Sequence, residues 1–272
     1  MPSRINLIAS RSRRAKDRAD IAADCFARLT AAVLAVMAWL PSIACAGEVR
    51  AAVAANFTEA ARQIGALFEA ETGHEAILSF GSTGQIYTQI TQGAPFDVLL
   101  AADQARPKLA IDKGFAVPDS RFTYVSGRIA LFSNDPGLVI GAATLRDGGF
   151  TRLAIANPVT APYGAAAVEA LTALGLHEQL RPKIVQGNNI AQTYQFVATG
   201  NAELGFVAVS QIAGHDRGSR WPVPETLYTP IAQDAVLLTR GADNPAARAF
   251  MAFLRSPAAR RVTEKYGYGP GE

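Results

Sequence analysis

The chain has 272 residues, of which 49% are hydrophobic, with a formal net charge of +3 and only two cysteines. Both cysteines, Cys25 and Cys45, fall within the first 46 residues, so the rest of the chain has no disulfide, no cysteine-based metal site and no cysteine nucleophile. Those 46 residues also hold seven basic and three acidic side chains, which leaves 19 basic against 20 acidic residues afterwards. A remainder so close to neutral does not indicate binding to nucleic acid or to an anionic membrane.

Residues 1–46 have the pattern of a signal peptide. Basic side chains precede an apolar run from Leu29 to Leu40, which is short for a membrane span. Ala44-Cys45-Ala46 follows as a small-residue cleavage site, which predicts a mature chain beginning at Gly47 or Glu48 and located in the periplasm. Cys45 could instead carry a lipid anchor, although the chain lacks the leucine usual three positions before such a cysteine.

After the leader, short apolar runs alternate with amphipathic helical patterns. The strand-like runs are 49–54, 76–80, 97–101, 128–133, 152–156, 184–186, 204–208 and 234–238. Apolar residues recur at helical spacing between them, and Gly73 ends the first of these helices while Asn244-Pro245 begins the last pair. This alternation is typical of βαβ units and predicts an α/β fold with mostly parallel sheet flanked by helices.

Four turns lie where a strand-like run ends and a helical pattern begins. They are Asn56-Phe57-Thr58, Gly81-Ser82-Thr83-Gly84, Pro162-Tyr163-Gly164 and Asn188-Asn189-Ile190. The first turn of a helix presents unpaired backbone N–H groups and the positive end of the helix dipole, and both favour an anion. None of the four turns contains Lys, Arg or His. We therefore expect neutral donors to hold a small oxyanion in a cleft between two lobes.

Each turn also has a plain structural interpretation. Asn56, with Glu59 three residues further on, fits a capping box. Ser82 and Thr83 fit a capped turn, and the other two turns fit an ordinary proline turn and a helix cap. The prediction of an anion site depends on the four turns occurring together.

Other chemistries find no support in the sequence. His74, His177 and His215 are scattered without the spacing of metal ligands, and no nucleophile elbow or phosphate-binding loop is present. Asp97 and Asp103 flank the run DVLLA, and their separation favours turn or cap roles over a catalytic pair. We expect a binding protein that is not an enzyme and needs no cofactor.

At the four turns and in the segments around them, the chain resembles the periplasmic molybdate-binding proteins of ABC importers. The resemblance covers nearly all of the mature chain, and Gly-Ala-Pro-Phe-Asp-Val followed by Ala-Asp is its specific combination. The matching segments are Val53-Ala54-Ala55-Asn56-Phe57, Ser79-Phe80-Gly81-Ser82-Thr83-Gly84, Gly93-Ala94-Pro95-Phe96-Asp97-Val98, Ala102-Asp103, Ala156-Asn157-Pro158, Pro162-Tyr163-Gly164, Leu204-Gly205-Phe206-Val207 and Tyr266-Gly267-Tyr268.

The resemblance implies a two-lobed periplasmic-binding-protein fold of type II that closes on one tetrahedral dianion in the cleft between its lobes. Lobe 1 would comprise residues 47–125 and 231–272, and lobe 2 residues 126–230. Some family members place a tyrosine hydroxyl directly after Leu-Gly-Phe-Val. This chain has Ala208 there, so it lacks that donor.

The resemblance also implies the ligand-binding residues. Asn56 and Thr83 would each donate from the side chain and the backbone, with Ser82 beside them as support or as a direct ligand. Tyr163 and Ile190 would donate backbone N–H groups from lobe 2. A site of donors without a carboxylate disfavours phosphate, because protonated phosphate needs an acceptor for its hydrogen.

The function implied is that of an extracytoplasmic receptor, acting as a monomer, which binds molybdate or tungstate and delivers it to an ABC permease. A receptor for sulfate or thiosulfate is the nearest alternative, because those anions have the same charge and shape. A porphobilinogen deaminase-like transferase would need a cofactor attachment point, typically a cysteine, that the mature chain lacks. A ligand-sensing regulatory domain would need a DNA-binding segment where this chain has a secretion signal.

Overall fold

The structure is a computed structural model that describes residues 46–214 and 216–271. The predicted signal peptide, apart from Ala46, and His215 lie outside the described residues. Within those ranges, none of the helices combines the length and the apolar character that a membrane span requires.

The strands form two sheets. They are β1 (Glu48–Ala54), β2 (Glu75–Gly81), β3 (Val98–Leu100), β4 (Phe122–Gly127), β5 (Ile129–Ser133), β6 (Leu153–Ala156), β7 (Ile184–Gly187), β8 (Leu204–Ala208), β9 (Ser219–Pro222), β10 (Ile231–Leu237) and β11 (Gly269–Pro270). The first sheet has the strand order β11-β4-β10-β3-β1-β2, and the second has the order β7-β6-β8-β5-β9. We call the first sheet with its helices lobe 1 and the second with its helices lobe 2.

Helices pack against both sheets. They are α1 (Thr58–Thr72), α2 (Thr83–Thr91), α3 (Ala105–Asp112), α4 (Ala142–Asp147), α5 (Pro162–Ala173), α6 (His177–Leu180), α7 (Ile190–Ala198), α8 (Pro245–Phe253) and α9 (Pro257–Lys265). Two predicted helix boundaries are confirmed. Gly73 ends α1 with a φ of 73°, a conformation that glycine adopts without strain. Asn244 caps α8, since its side chain accepts a hydrogen bond from the backbone N–H of Ala246.

Each sheet is mixed, whereas the sequence predicted mostly parallel sheet. In lobe 1, β1 is parallel to β2 and β3, and β10 is antiparallel to β3 and β4. In lobe 2, β6 is parallel to β7 and β8, and β5 is antiparallel to β8 and β9. The antiparallel pairs involve the strands that carry the chain from one lobe to the other and back.

The chain passes between the lobes twice. The first passage is at Arg128, between β4 and β5, and the second lies between β9 and β10. The predicted lobe boundary after residue 125 falls within strand β4, which ends at Gly127. The exact lobe boundaries at 125/126 and 230/231 stay a prediction.

The parallel strands end at the same edge of each sheet. In lobe 1, Ala54 at the end of β1 lies beside Gly81 at the end of β2. In lobe 2, Ala156 at the end of β6 lies beside Gly187 at the end of β7. The four turns follow these strand ends, so each sheet brings two of them together.

Candidate functional site

The four turns converge on one small cavity between the lobes. All five residues predicted to bind the ligand line it. The lining residues are Ala54, Ala55, Asn56, Gly81, Ser82, Thr83, Ala102, Ala161, Pro162, Tyr163, Asn189 and Ile190. Lobe 1 supplies Asn56, Ser82 and Thr83, and lobe 2 supplies the other two predicted residues, Tyr163 and Ile190.

Ser82 and Thr83 present two hydroxyl groups at the start of α2. Ser82 is the N-cap residue, but its side chain caps no backbone group, so the interpretation as a capped turn is wrong. Its Oγ is buried and has no hydrogen-bond partner within the described residues. Thr83, which is 1% exposed, accepts a hydrogen bond from the backbone N–H of Ala102 at 2.9 Å. That bond occupies an acceptor site of the hydroxyl and leaves its hydrogen available to a ligand.

Lobe 2 contributes the starts of two helices. Tyr163 follows Pro162 in the first turn of α5, and Ile190 is the first residue of α7. The backbone N–H groups of a first turn have no partner within their own helix. Asn189 does cap α7, because its Oδ1 accepts from the N–H of Gln192 at 3.0 Å. The cap and the cavity coexist, since the cap uses a later N–H group than the one at Ile190.

Asn56 differs from its predicted role as a cap. It lies in a short 3-10 helix, Ala55–Phe57, and α1 begins only at Thr58, where no side chain caps it. The Nδ2 of Asn56 donates towards the protein interior, to Gln233 Oε1 at 2.9 Å and Tyr268 Oη at 3.1 Å. Its Oδ1 is buried and has no partner within the described residues.

Two contacts join the lobes at the margin of the cavity. The backbone N–H of Gly84, in α2, donates to the carbonyl oxygen of Thr160 at 2.9 Å. The guanidinium of Arg106, in α3, donates to the carbonyl oxygen of Val159 at 3.2 Å. Since Gly84 and Arg106 belong to lobe 1 and the two carbonyl groups to lobe 2, these bonds form only when the lobes are closed.

The cavity holds no charge of its own. Among the described residues that line it, none is Asp, Glu, Lys, Arg or His. Tyr163 is its only titratable group within those ranges, and burial raises the pKa of the Tyr163 hydroxyl well above its usual value, so that side chain stays neutral. The attraction for an anion comes from the helix N-termini and hydroxyl groups, which act without a buried counter-charge.

The residues set aside in the sequence have structural roles. Asp97 accepts a hydrogen bond from the backbone N–H of Arg50 at 2.9 Å, and Asp103 accepts from the N–H of Arg106 at 2.8 Å. His74 accepts from the N–H of Gly47 at 3.0 Å. No cluster of three or more potential metal ligands occurs in the described part of the chain.

The sequence did not predict the layer behind the cavity. Tyr268 donates to the backbone carbonyl of Asn56 at 2.7 Å, and Ser210 donates to the same carbonyl at 2.9 Å. Gln233 and Tyr124 complete this layer, with Tyr124 Oη and Gln233 Oε1 separated by 3.2 Å. Gln233 is a fully buried amide in β10, but it lies one residue before the strand predicted at 234–238, so no sequence signal identified it.

The sequence model of the family described as bacterial extracellular solute-binding protein matches residues 49–269. This chain belongs to that family. Two relatives, both named molybdate-binding protein ModA, are close to it. The one from Rhodobacter capsulatus is 53% identical over 241 residues, which are 89% of this chain and 96% of that protein. The one from Azotobacter vinelandii is 54% identical over 228 residues, covering 82% and 90% respectively.

A solved structure of the same family confirms the architecture. The periplasmic molybdate-binding protein of Azotobacter vinelandii superposes with a TM-score of 0.79 and 38% identity, over 81% of this chain and 98% of that one. The two-lobed α/β fold of type II predicted from the sequence is thereby confirmed. Membership of this family also indicates an extracytoplasmic location.

Proposed function

We propose that this chain is an extracytoplasmic receptor that binds molybdate and delivers it to an ABC importer. The main support for this proposal is the cavity, because helix starts from both lobes surround it and its described lining has no charged side chain. A fully ionised tetrahedral oxyanion requires donors only, which is what helix N-termini and hydroxyl groups supply. The relatives that are 53% and 54% identical to this chain are named for molybdate.

Each predicted residue has a role in this proposal. Thr83 and Ser82 donate their hydroxyl hydrogens, and Tyr163 and Ile190 donate backbone N–H groups from the other lobe. Asn56 donates from its backbone, and its side-chain Nδ2, which donates into the protein interior in this structure, turns towards the anion to donate as well. Donors from both lobes let the anion stabilise the closed form, which is the form that a permease would recognise.

The remaining features of the proposal follow from the family and the leader. Solute-binding proteins bind and release, so we propose a protein without catalysis or cofactor that works as a monomer. The leader of residues 1–46 would direct export to the periplasm. Tungstate has nearly the size and charge of molybdate, and we expect it to bind as well.

Isothermal titration tests the ligand. We expect the purified protein to bind one molybdate tightly, and a large excess of sulfate to leave that binding in place. Tungstate should displace molybdate. Heat with sulfate or thiosulfate but none with molybdate would keep the site and overturn the proposed ligand in favour of the alternative.

The affinity should depend little on pH. We expect the Kd for molybdate to change by less than about threefold between roughly pH 6 and pH 9, because the described cavity lining has no carboxylate, imidazole or ammonium group that titrates there. The raised pKa of the Tyr163 hydroxyl keeps this group protonated throughout the range. The hydroxyl would lose its proton only at much higher pH. Titrations at several pH values measure this, and a sigmoidal change in Kd within the range would contradict it.

A further inference from the structure

A buried hydrogen-bonded layer lies directly behind the anion cavity and spans both lobes. Gln233, in β10 of lobe 1, is fully buried. Its Oε1 accepts from Asn56 Nδ2 at 2.9 Å, and its Nε2 donates to the hydroxyl of Tyr163, in lobe 2, at 3.0 Å. The amide of Gln233 therefore contacts two of the residues that line the cavity, although Gln233 does not line it.

The Asn56 amide is only half satisfied in this arrangement. Its Nδ2 has three oxygen atoms within reach, on Gln233, Tyr268 and Tyr163 at 2.9, 3.1 and 3.3 Å. Its Oδ1 has no hydrogen-bond donor among the described residues, although Asn56 is only 4% exposed. A buried acceptor without a donor costs free energy, and an acceptor beside an anion adds repulsion. A cavity for an oxyanion needs the opposite orientation.

We infer that Gln233 is a positioning residue that sets the orientation of the Asn56 amide, and that in the anion-bound protein both amides are turned by half a turn from the arrangement in this structure. Asn56 Nδ2 then faces the anion, and Asn56 Oδ1 accepts from Gln233 Nε2. The amide oxygen and nitrogen have similar size, so the turn leaves the packing unchanged. This inference rests on the proposed function, since it needs an anion in the cavity.

The donors and acceptors balance after the turn. Gln233 Oε1 comes within hydrogen-bonding distance of the Tyr163 hydroxyl, which then donates to it. The second hydrogen of Gln233 Nε2 reaches the hydroxyl oxygen of Tyr124, which donates in turn to the carbonyl of Ala101 at 3.1 Å. Ser210 alone can satisfy the carbonyl of Asn56 at 2.9 Å, which frees the Tyr268 hydroxyl for Asn56 Oδ1. Every polar atom of the layer then has a partner.

Two further features fit this role. An added Cβ at Gly127 would lie 2.1 Å from the Tyr163 hydroxyl and 2.4 Å from Gln233 Nε2, so the glycine leaves the space that the layer occupies. Burial raises the pKa of the Tyr124, Tyr163 and Tyr268 hydroxyls, which keeps all three protonated and able to donate. Because Tyr163 belongs to lobe 2, the turned arrangement also couples the Asn56 amide to lobe closure.

A double-mutant cycle tests the inference. We expect Gln233→Leu to raise the Kd about tenfold or more in the wild-type background and less than about twofold in an Asn56→Ala background, because its effect passes through Asn56. A purely structural effect would give the same fold-change in both backgrounds and would overturn the inference. Gln233→Glu, whose carboxylate cannot donate to Asn56 Oδ1, should weaken binding at least as much as Gln233→Leu.

A measurement on the wild-type protein keeps the test independent of variant folding. Side-chain amide resonances of Asn56 and Gln233 in ¹⁵N-labelled protein should both shift when molybdate is added. A Gln233 resonance that stays in place would overturn the inference while the heat of binding still supports the proposed function. If the wild type binds sulfate or thiosulfate instead, both measurements are made with that anion. Binding of none of these anions would overturn the function and the inference together.

Discussion

Thr83→Ala is expected to weaken molybdate binding by about 1.5–3 kcal/mol, or roughly 10- to 150-fold, because it removes a hydroxyl donor to a buried dianion. The backbone N–H of Ala102 donates to Thr83 Oγ1 at 2.9 Å and so directs the hydroxyl hydrogen away from itself. The same substitution leaves that buried N–H without a partner, so the free energy of unfolding should also fall. Isothermal titration and thermal unfolding measure the two effects separately.

Two variants serve as controls for Thr83→Ala. Thr83→Ser keeps the hydroxyl and should bind within a few-fold of the wild type. Thr88→Ala alters an exposed threonine of the same helix and should leave the affinity unchanged. An unchanged Kd in Thr83→Ala would remove Thr83 from the site.

Gly84→Ala is expected to raise the Kd by about 5- to 150-fold, which corresponds to an overpacking cost of roughly 1–3 kcal/mol in the closed form. An added Cβ would lie 3.0 Å from Thr160 Cα and 3.1 Å from Thr160 O, where α2 of lobe 1 meets the loop of lobe 2. The side chain would separate the lobes at the hydrogen bond between Gly84 N–H and Thr160 O, which is 2.9 Å long. Closure over the anion would become less favourable.

The unfolding temperature of the ligand-free variant distinguishes hindered lobe closure from damage to the fold. Alanine favours a helix by about 1 kcal/mol over glycine, so Gly84→Ala should not destabilise α2 itself. The ligand-free variant should therefore unfold at or near the wild-type temperature. Gly149→Ala is the matched control, because nothing lies within 4 Å of its added Cβ and its φ is not positive. Wild-type affinity in Gly84→Ala would show that the Gly84–Thr160 contact does not limit closure.

Local sequence was sufficient to predict most of the elements that line the cavity. The predicted strand-like runs 49–54, 76–80 and 152–156 end within one residue of the observed strand ends at Ala54, Gly81 and Ala156, because alternation of apolar runs and helical periodicity is encoded along the chain. Small or polar residues after those runs predicted helix starts. The rule that ligands bind at the carboxyl ends of parallel strands then predicted that the turns converge.

The antiparallel strands were harder to predict. Apart from the two-residue β11, which was also missed, β4 and β9 have no counterpart among the predicted runs, and β10 was placed three residues too late at its start. These strands carry the chain between the lobes, and their pairing partners are distant in sequence. Gln233 of β10, for example, pairs with Val125 of β4, and no local pattern specifies that partner.

The sequence by itself determined the α/β class of the fold and the absence of charge in the four turns, because these depend on residue type and on short-range periodicity. Its resemblance to a known family indicated five of the residues that line the cavity. The tertiary structure alone decided which groups support those donors. Asparagine is a residue type that commonly caps helices. In the fold, however, the Asn56 amide is surrounded by Gln233, Tyr268 and Tyr163, which lie 107 to 212 residues further along the chain. Hydrogen bonds over such separations depend on how two sheets meet, and that is a property of the whole fold.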